Sequence, residues 1–287
     1  MLEDERRPGQ KFERTLTVFL AGAECPFTCS FCDLWRWTID GPTPRGALTK
    51  QLSGVLQGLD VPMPERLKLY NASNFFDPRA VPLDDVTGIA ALATPFAAVT
   101  VESHAATVGA MTLEFAAQIA GRLEVAVGLE TIHPVATKHL NKRLDLSRFD
   151  SAARFLSDNG IDLRVFVLFG VPYVPVQEQV EWTGRAVEHA IDRGASVVSI
   201  IPVRGGNGEL ERLQALGEFA PPTLSQFEAA LDRCSGFAPA VVIADLWDVD
   251  RLHGCEMCKT QRVQRMARQN MSGHMEPRIA CGGCGVA

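Results

Sequence analysis

The sequence predicts an α/β protein: a partial (βα)6 TIM-like barrel with a small C-terminal four-cysteine metal-binding module. Strand-like and helix-like stretches alternate at intervals of roughly 30 residues, which is typical of repeated βα units with a parallel sheet. The polar and cysteine-rich motifs follow predicted strands, at the end where βα barrels carry their chemistry. Two Cys-x-x-Cys pairs lie near the end of the sequence.

Six βα units follow from the hydrophobic pattern. The predicted strands are 14–21, 66–71, 96–102, 123–129, 161–169 and 196–203. The predicted helices are 46–60, 82–93, 113–122, 150–159, 177–193 and 225–234. The fifth strand is nearly continuously apolar, as is typical of strands buried on both faces. A short apolar segment, 240–246, follows the last helix.

Length and composition fit one barrel-sized domain with a small appendage. We expect a barrel over 1–238 and a metal-binding module over 239–287. Hydrophobic residues make up 46% and charged residues 22% of the 287 residues, as in ordinary soluble proteins. The net charge of −6 gives no global basic field for nucleic acid.

Location is predicted from apolar runs and cysteine usage. The charged N-terminus lacks the apolar core of a signal peptide or anchor, and no run approaches a membrane span. Seven of the eight cysteines fall in clusters at 25–32, 255–258 and 281–284. Clustered cysteines in a chain without a secretion signal favour metal ligands over disulfides. We therefore expect a cytoplasmic protein with no membrane partner.

The loop after the first predicted strand carries Cys25, Cys29 and Cys32 within eight residues. Three thiolates are one short of the four that complete an iron–sulfur cube, so one iron stays open to a small ligand. The alternative is three unrelated buried thiols. The tight spacing and the strand that runs into the loop favour the metal site.

With aromatic Phe31 before the third cysteine, this loop resembles that of the radical S-adenosylmethionine (SAM) superfamily. The resemblance implies that Cys25, Cys29 and Cys32 hold a 4Fe–4S cluster whose open iron chelates SAM. It implies reductive cleavage of SAM to a 5′-deoxyadenosyl radical that abstracts hydrogen from a substrate. Phe31 is then expected near the adenine.

The resemblance also assigns candidate SAM-binding residues at strand ends. Asn71, Ala72 and Ser73 occupy the position that binds the SAM amino group, although the usual Gly-Gly-Glu is absent; the alternative is an Asx-rich turn. Glu102 and Glu130 end the next two strands, where a carboxylate can accept from a ribose hydroxyl or an ammonium group. The alternatives are a solvated strand end or an ion pair.

Apolar strand ends supply the walls expected around adenine. The residues assigned to these walls are Val167, Ile201 and Pro202. The glycine-rich segment 205–208 could let the backbone approach a ligand, or could simply form a turn.

Three further polar features have open interpretations. His104 could donate a proton or have a structural role. The basic turn 141–143 could face a substrate anion or end a helix in solvent. Arg164 could point into the barrel or away from it.

The segments 71–82, 101–103, 128–131 and 140–142 resemble one branch of the superfamily. That branch contains the Elongator catalytic subunit and the radical SAM subunit of archaeosine synthase, both tRNA-modifying. The resemblance covers residues 12–235.

The C-terminal cysteines form two knuckles. Cys255, Cys258, Cys281 and Cys284 fit a closed tetrahedral zinc site or, equally by ligand count, a second 4Fe–4S cluster. Either metal would order a tail too small to fold alone. Basic residues spaced along a predicted helix lie between the knuckles: Lys259, Arg262, Arg265 and Arg268. They could bind nucleic acid phosphates or an acidic substrate, or could form a solvated helix face or one that pairs with acids of the barrel.

These patterns predict a radical SAM enzyme that acts on a small-molecule or natural-product substrate and takes electrons from a donor such as flavodoxin or ferredoxin. Radical-based tRNA base modification is the alternative within this class. A non-catalytic barrel that binds RNA or a protein partner is the alternative from another class.

Overall fold

The computed structural model describes residues 1–285, which form an α/β barrel around one eight-stranded sheet with its strands in chain order. The strands are β1 (Leu2–Arg7), β2 (Lys11–Leu20), β3 (Arg66–Asn71), β4 (Ala98–Ser103), β5 (Arg122–Glu130), β6 (Asp162–Phe169), β7 (Ala195–Pro202) and β8 (Val241–Ala244). β1 is antiparallel to β2, and every later neighbouring pair is parallel. Val286 and Ala287, the last residues of the predicted C-terminal module, lie outside the described residues.

Helices cover the outside of the sheet and follow the strands. They are α1 (Ala47–Gln57), α2 (Leu83–Leu92), α3 (Ala110–Gln118), α4 (Ala136–His139), α5 (Leu146–Asp158), α6 (Gln179–Asp192), α7 (Glu209–Ala215), α8 (Leu224–Arg233) and α9 (Lys259–Ser272). Among the described residues, no helix is both long and apolar enough to span a membrane.

The predicted fold class is confirmed, and the sheet is larger than predicted. All six predicted strands form, and the apolar segment 240–246 contains a seventh parallel strand, β8, which pairs with β7. β1 has the sequence LEDERR, in which charged residues hide the usual apolar alternation of a strand. It forms a strand because its inward-facing charges find partners inside the barrel.

The floor of the barrel is a buried ion-pair network. Glu124 is fully buried and accepts from Arg7 at 2.5 Å and from Arg164 at 3.1 Å. Arg66, also fully buried, donates to Glu13 at 2.7 Å. Arg164, whose direction the sequence left open, therefore points into the barrel. Because a buried charge is costly unless it is paired, β1 and the strands opposite it depend on one another.

Helix α9 fills the gap between the two edge strands, β1 and β8. The Asn270 side chain donates to Ala244 O and accepts from Ala244 N, both at 2.8 Å, so it pairs with the free edge of β8. Arg6 of β1 donates from Nε to Asn270 O at 2.9 Å. The helix thus covers an edge that would otherwise expose unpaired backbone groups, and Met266 on its inner face is fully buried.

Candidate active site

The cysteine loop leaves β2 at the C-terminal mouth of the barrel, where Cys25, Cys29 and Cys32 are all half-buried. Burial, reinforced by the charges of neighbouring acidic groups, raises the pKa of Cys29 to about 12 and that of Cys32 to about 11. All three cysteines lie within eight residues of one loop, in which the Cys32 N–H donates to Cys29 O at 3.1 Å. Three thiols in such surroundings become thiolates only when a cation compensates their charge.

Residues from distant parts of the chain hold this loop in place. Leu140 O accepts from Ser30 N at 2.9 Å, and Asn141 Nδ2 donates to Thr28 O at 2.9 Å. From the opposite side, Asn207 Nδ2 donates to Ser30 O at 2.5 Å. The basic turn and the glycine-rich segment of the sequence analysis therefore both support the cysteine loop.

Glu130 and Lys142 form a largely buried ion pair beside the thiols. Lys142 Nζ lies 2.5 Å from Glu130 Oε1. Burial lowers the pKa of Lys142, but the charges of Glu130 and Cys29 more than offset this, so its pKa is raised. Glu130 has φ +66°, at a register shift in β5. A Cβ on Gly128 would collide with Glu130 Oε1 and lie 2.5 Å from Lys142 Nζ, so a larger residue there would force these side chains to move.

The segment after β3 carries buried polar atoms without partners. The side-chain nitrogen and oxygen of Asn71, the Oγ of Ser73 and the Oγ of Ser30 are buried and unpaired. The Asn71 backbone N–H donates to Glu102 Oε1 at 2.5 Å, while burial raises the pKa of Glu102 to about 8. Buried polar atoms normally have partners. These residues, with the half-buried Ala72 between them, fit a polar ligand such as an amino-acid head group.

The predicted adenine wall is only partly assembled at the loop. Phe31 and Ile201 pack in a small apolar cluster at the barrel mouth that also contains Leu168. Val167 is fully buried in the main core, on the face of β6 opposite to Leu168. Pro202 is buried on the face of β7 that Ile200 shares. Successive side chains of a strand alternate between the two faces of the sheet. Leu168 and Ile201 therefore lie on the face near the cysteine loop, whereas Val167 and Pro202 lie on the opposite face.

His104 is buried and has a partner at each ring nitrogen. The Ala106 N–H donates to Nδ1 at 3.0 Å, so Nε2 carries the proton and donates to Lys142 O at 3.1 Å. Burial and the Lys142 charge lower the pKa of His104 to about 4. The ring also stacks on Phe27 of the cysteine loop at 3.9 Å between centroids. His104 therefore has the structural role, as an anchor of the Lys142 turn.

The four C-terminal thiols converge on one point. The Sγ atoms of Cys255, Cys258, Cys281 and Cys284 all lie within 4.8 Å of one another, and two of the pairs are separated by 3.9 Å. Tetrahedral bonds of about 2.3 Å to one ion place sulfurs about 3.8 Å apart. An iron–sulfur cube separates the thiolates further, because each binds a different iron. The spacing fits a single tetrahedral ion.

The basic residues of α9 are engaged in ion pairs. Arg262 and Arg265 are buried; Arg262 pairs with Glu228, and Arg265 pairs with Asp232 at 2.8 Å. The exposed Arg268 pairs with Glu276 at 2.8 Å, and Lys259 Nζ donates to Asp250 O at 2.7 Å. The interpretation in which this face pairs with acids of the barrel is confirmed for Arg262 and Arg265, whereas the exposed Arg268 pairs with an acid of the C-terminal segment.

Two side chains that organise the site, Asn74 and Asn207, were not among the predicted site residues. Asn74 donates from Nδ2 to Cys25 Sγ at 3.4 Å and accepts from the His104 N–H at 2.6 Å. Asn207 holds Ser30 from the glycine-rich segment. Both lie in segments that the sequence analysis singled out, directly after β3 and β7, and polar residues at such strand ends are the available signal.

Comparison with solved structures finds similar folds, among them that of a radical SAM methyltransferase. Elp3 from the archaeon Methanocaldococcus infernus, lacking residues 1–46, superposes with a TM-score of 0.59 at 12% identity, over 89% of this chain and 63% of that chain. Methylornithine synthase (PylB) superposes with a TM-score of 0.59 at 16% identity, over 87% and 69%. Streptococcus suis SuiB gives 0.55 at 13%, over 84% and 50%.

This chain therefore spans between half and just over two thirds of the length of these three neighbours. No protein-family model and no curated protein sequence matches it.

Proposed function

We propose that the protein is a radical SAM enzyme. The observation that carries this proposal is the placement of the half-buried Cys25, Cys29 and Cys32 on one loop at the mouth of a barrel with this fold, near the segment that carries the unpaired polar atoms of Asn71 and Ser73. A fold neighbour at a TM-score of 0.50 is a radical SAM methyltransferase with cobalamin and a [4Fe–4S] cluster bound, and SuiB has been solved with SAM bound.

A 4Fe–4S cluster on the three thiolates, with SAM on its open iron, would supply reductive sulfonium cleavage and a 5′-deoxyadenosyl radical that abstracts hydrogen from the substrate. Within that scheme the chain's own residues bind and orient. Asn71 and Ser73 offer hydrogen bonds to the SAM amino and carboxylate groups. Phe31, Leu168 and Ile201 provide an apolar wall for adenine, and the Lys142 ammonium compensates thiolate charge near Cys29.

The substrate is proposed to be a small molecule or natural product. The arginines of α9 pair with Glu228, Asp232 and Glu276. The positive charge that suggested phosphate binding in the sequence is therefore largely neutralised, which disfavours tRNA as the substrate. An electron donor such as flavodoxin or ferredoxin, in the reducing cytoplasm, is part of the same proposal.

We propose zinc at the C-terminal cysteines. The sulfur separations of 3.9 Å match one tetrahedral ion. Arg262 donates from Nε to Cys258 Sγ at 3.1 Å and Gly283 N donates to Cys281 Sγ at 3.4 Å, so both support the negative charge of a four-thiolate site.

The test is anaerobic preparation followed by metal analysis and reduction with dithionite in the presence of SAM. We expect about four irons and one zinc per chain, and 5′-deoxyadenosine as a product. The Cys25→Ala/Cys29→Ala/Cys32→Ala variant should lose the iron and the product and keep the zinc. Iron-loaded protein that leaves SAM intact would contradict the enzyme proposal, and about eight irons would contradict zinc.

A further inference from the structure

An aromatic cluster lies exposed inside the mouth of the barrel. Phe19 belongs to the inner face of β2, because Thr17, two residues earlier, reaches Glu3 of the interior network. Phe19 is 61% exposed although its strand is paired on both sides, with β1 and with β3. Trp247, just beyond the end of β8, is 51% exposed, and the two ring centroids are 6.0 Å apart.

Two further rings form the base of this cluster. Tyr70 lies 6.2 Å from Phe19 in an edge-to-face arrangement, and Phe166 lies 6.0 Å from Tyr70, also edge to face. Phe19, Tyr70 and Phe166 lie on the inner faces of β2, β3 and β6, and together they extend across the interior of the barrel. Large aromatic surfaces left open in a concavity are typical of ligand sites, since their burial against a flat apolar group is favourable.

A cation with unused donors stands at the rim of the cluster. Arg204 follows β7 and donates from Nη2 to Asp245 Oδ2 at 3.0 Å and to Trp247 O at 3.1 Å. Its Nε is buried without a partner, and its Nη1 lies 3.9 Å from Asp248. The ion pair with Asp245 holds the guanidinium beside Trp247. The Nε and Nη1 donors remain able to bind an acceptor oxygen of a ligand.

The aromatic cluster is tied to the cysteine loop by short stretches of chain. Arg204 is three residues from Asn207, which holds Ser30 between Cys29 and Cys32. Tyr70 precedes Asn71, one of the residues proposed to bind SAM. A molecule on the cluster would thus lie in the same barrel mouth as the radical source.

We propose that Phe19, Trp247 and Arg204 form the substrate site, and that the substrate is a planar aromatic small molecule bearing a carboxylate or carbonyl oxygen. The ring lies against Phe19 and Trp247, and its oxygen accepts from Arg204. Calling this molecule the substrate rests on the proposed function. Binding can be measured without turnover, so a failure of the site and a failure of the radical chemistry give different results.

The test is calorimetric titration of the iron-loaded protein, with SAM present, using three probes. Indole-3-acetate has both ring and carboxylate, indole lacks the carboxylate, and cyclohexylacetate lacks the aromatic ring. We expect indole-3-acetate to bind at least tenfold more tightly than either of the others. Absence of indole-3-acetate binding, or equal affinity for all three probes, would overturn the proposal.

Variants separate the two parts of the site. Arg204→Gln should weaken indole-3-acetate at least tenfold and indole much less, because indole has no carboxylate to accept a hydrogen bond from the guanidinium. Phe19→Leu and Trp247→Leu should weaken both indoles. The matched control is Phe12→Leu, which changes a 48% exposed ring on the opposite face of the same strand and should alter no affinity. Equal losses in Phe12→Leu and Phe19→Leu would contradict the assignment.

Discussion

Arg262 donates from Nε to the Sγ of Cys258 at 3.1 Å and pairs through Nη1 with Glu228 of α8. One guanidinium therefore joins the four-cysteine site to the helix layer of the barrel. The same helix α9 carries Asn270, which pairs with the edge of β8 and accepts from Arg6 of β1. Helix α9 thus connects the four-cysteine site to the gap between the edge strands β1 and β8.

The first prediction concerns metal removal at this site. The Cys258→Ser/Cys284→Ser variant should unfold about 6–12 °C lower, corresponding to a loss of about 3 kcal/mol in a chain of this size. Amide hydrogen exchange should accelerate in α9, β8 and β1 before it does in β4 and β5. As the control, Cys234→Ala changes a cysteine outside the site and should keep its metal and its sensitivity to chelators. If amide exchange accelerated equally in all strands, the metal site would not be linked specifically to the gap between β1 and β8.

The second prediction concerns the Glu130–Lys142 pair. Gly128→Ala places a methyl group where these side chains meet, so the pair must separate or β5 must shift. We expect SAM to bind at least tenfold more weakly, by calorimetry, and unfolding free energy to fall by about 1–3 kcal/mol, as for overpacked cores. Gly54→Ala in α1 has open space around the new methyl group and should leave SAM affinity unchanged. Unaltered SAM affinity in Gly128→Ala would show that the pair has no part in binding.

The third prediction concerns the barrel floor. Glu124→Gln removes the carboxylate that Arg7, Arg66 and Arg164 share, and leaves buried guanidinium charge uncompensated. Urea denaturation should show a loss of about 3–5 kcal/mol. Glu181→Gln removes an exposed partner of Arg185 and Arg233 and should cost no more than about 1 kcal/mol. Similar costs for the two variants would contradict the view that β1 depends on the network.

The sequence was sufficient for six parallel strands and for the C-terminal four-cysteine group, and insufficient for β1. Strands 66–71 and 161–169 carry apolar runs, and cysteine spacing is a local signal. β1 consists of charges whose partners, such as Glu124 and Arg164, are far away in the chain, so no local pattern could show that Glu5 and Arg7 are buried.

The strand ends that carry the candidate site could be predicted from the sequence. Which side chains at those ends face the cysteine loop could be predicted only in part. A shift of one residue distinguishes Val167 in the core from Leu168 beside Phe31, and the uniformly apolar run around them gives no sign of which faces inward. The supports Asn141 and Asn207 act across 113 and 177 residues of sequence, a relation that only the folded barrel reveals.

The fourth prediction is a pH dependence from His104. Its pKa is lowered to about 4 in the fold, chiefly by burial, whereas an unperturbed histidine titrates near 6.5. Between these values the unfolded chain binds more protons, so the unfolding free energy contributed by His104 falls as pH drops from about 6.5 towards 4, by about 3 kcal/mol, and is constant above 6.5.

The measurement is urea denaturation at pH 7 and pH 4.5, with the His104 ring resonance followed by NMR. His104→Gln should flatten the difference between the two pH values by about 2–3 kcal/mol, because the titrating ring is gone. His274→Gln, at an exposed histidine beyond α9, should retain the full difference. If the His104 resonance titrates near 6.5 in the folded protein, the ring is not held neutral by Ala106 and Lys142, and its assigned role as an anchor of the Lys142 turn is wrong.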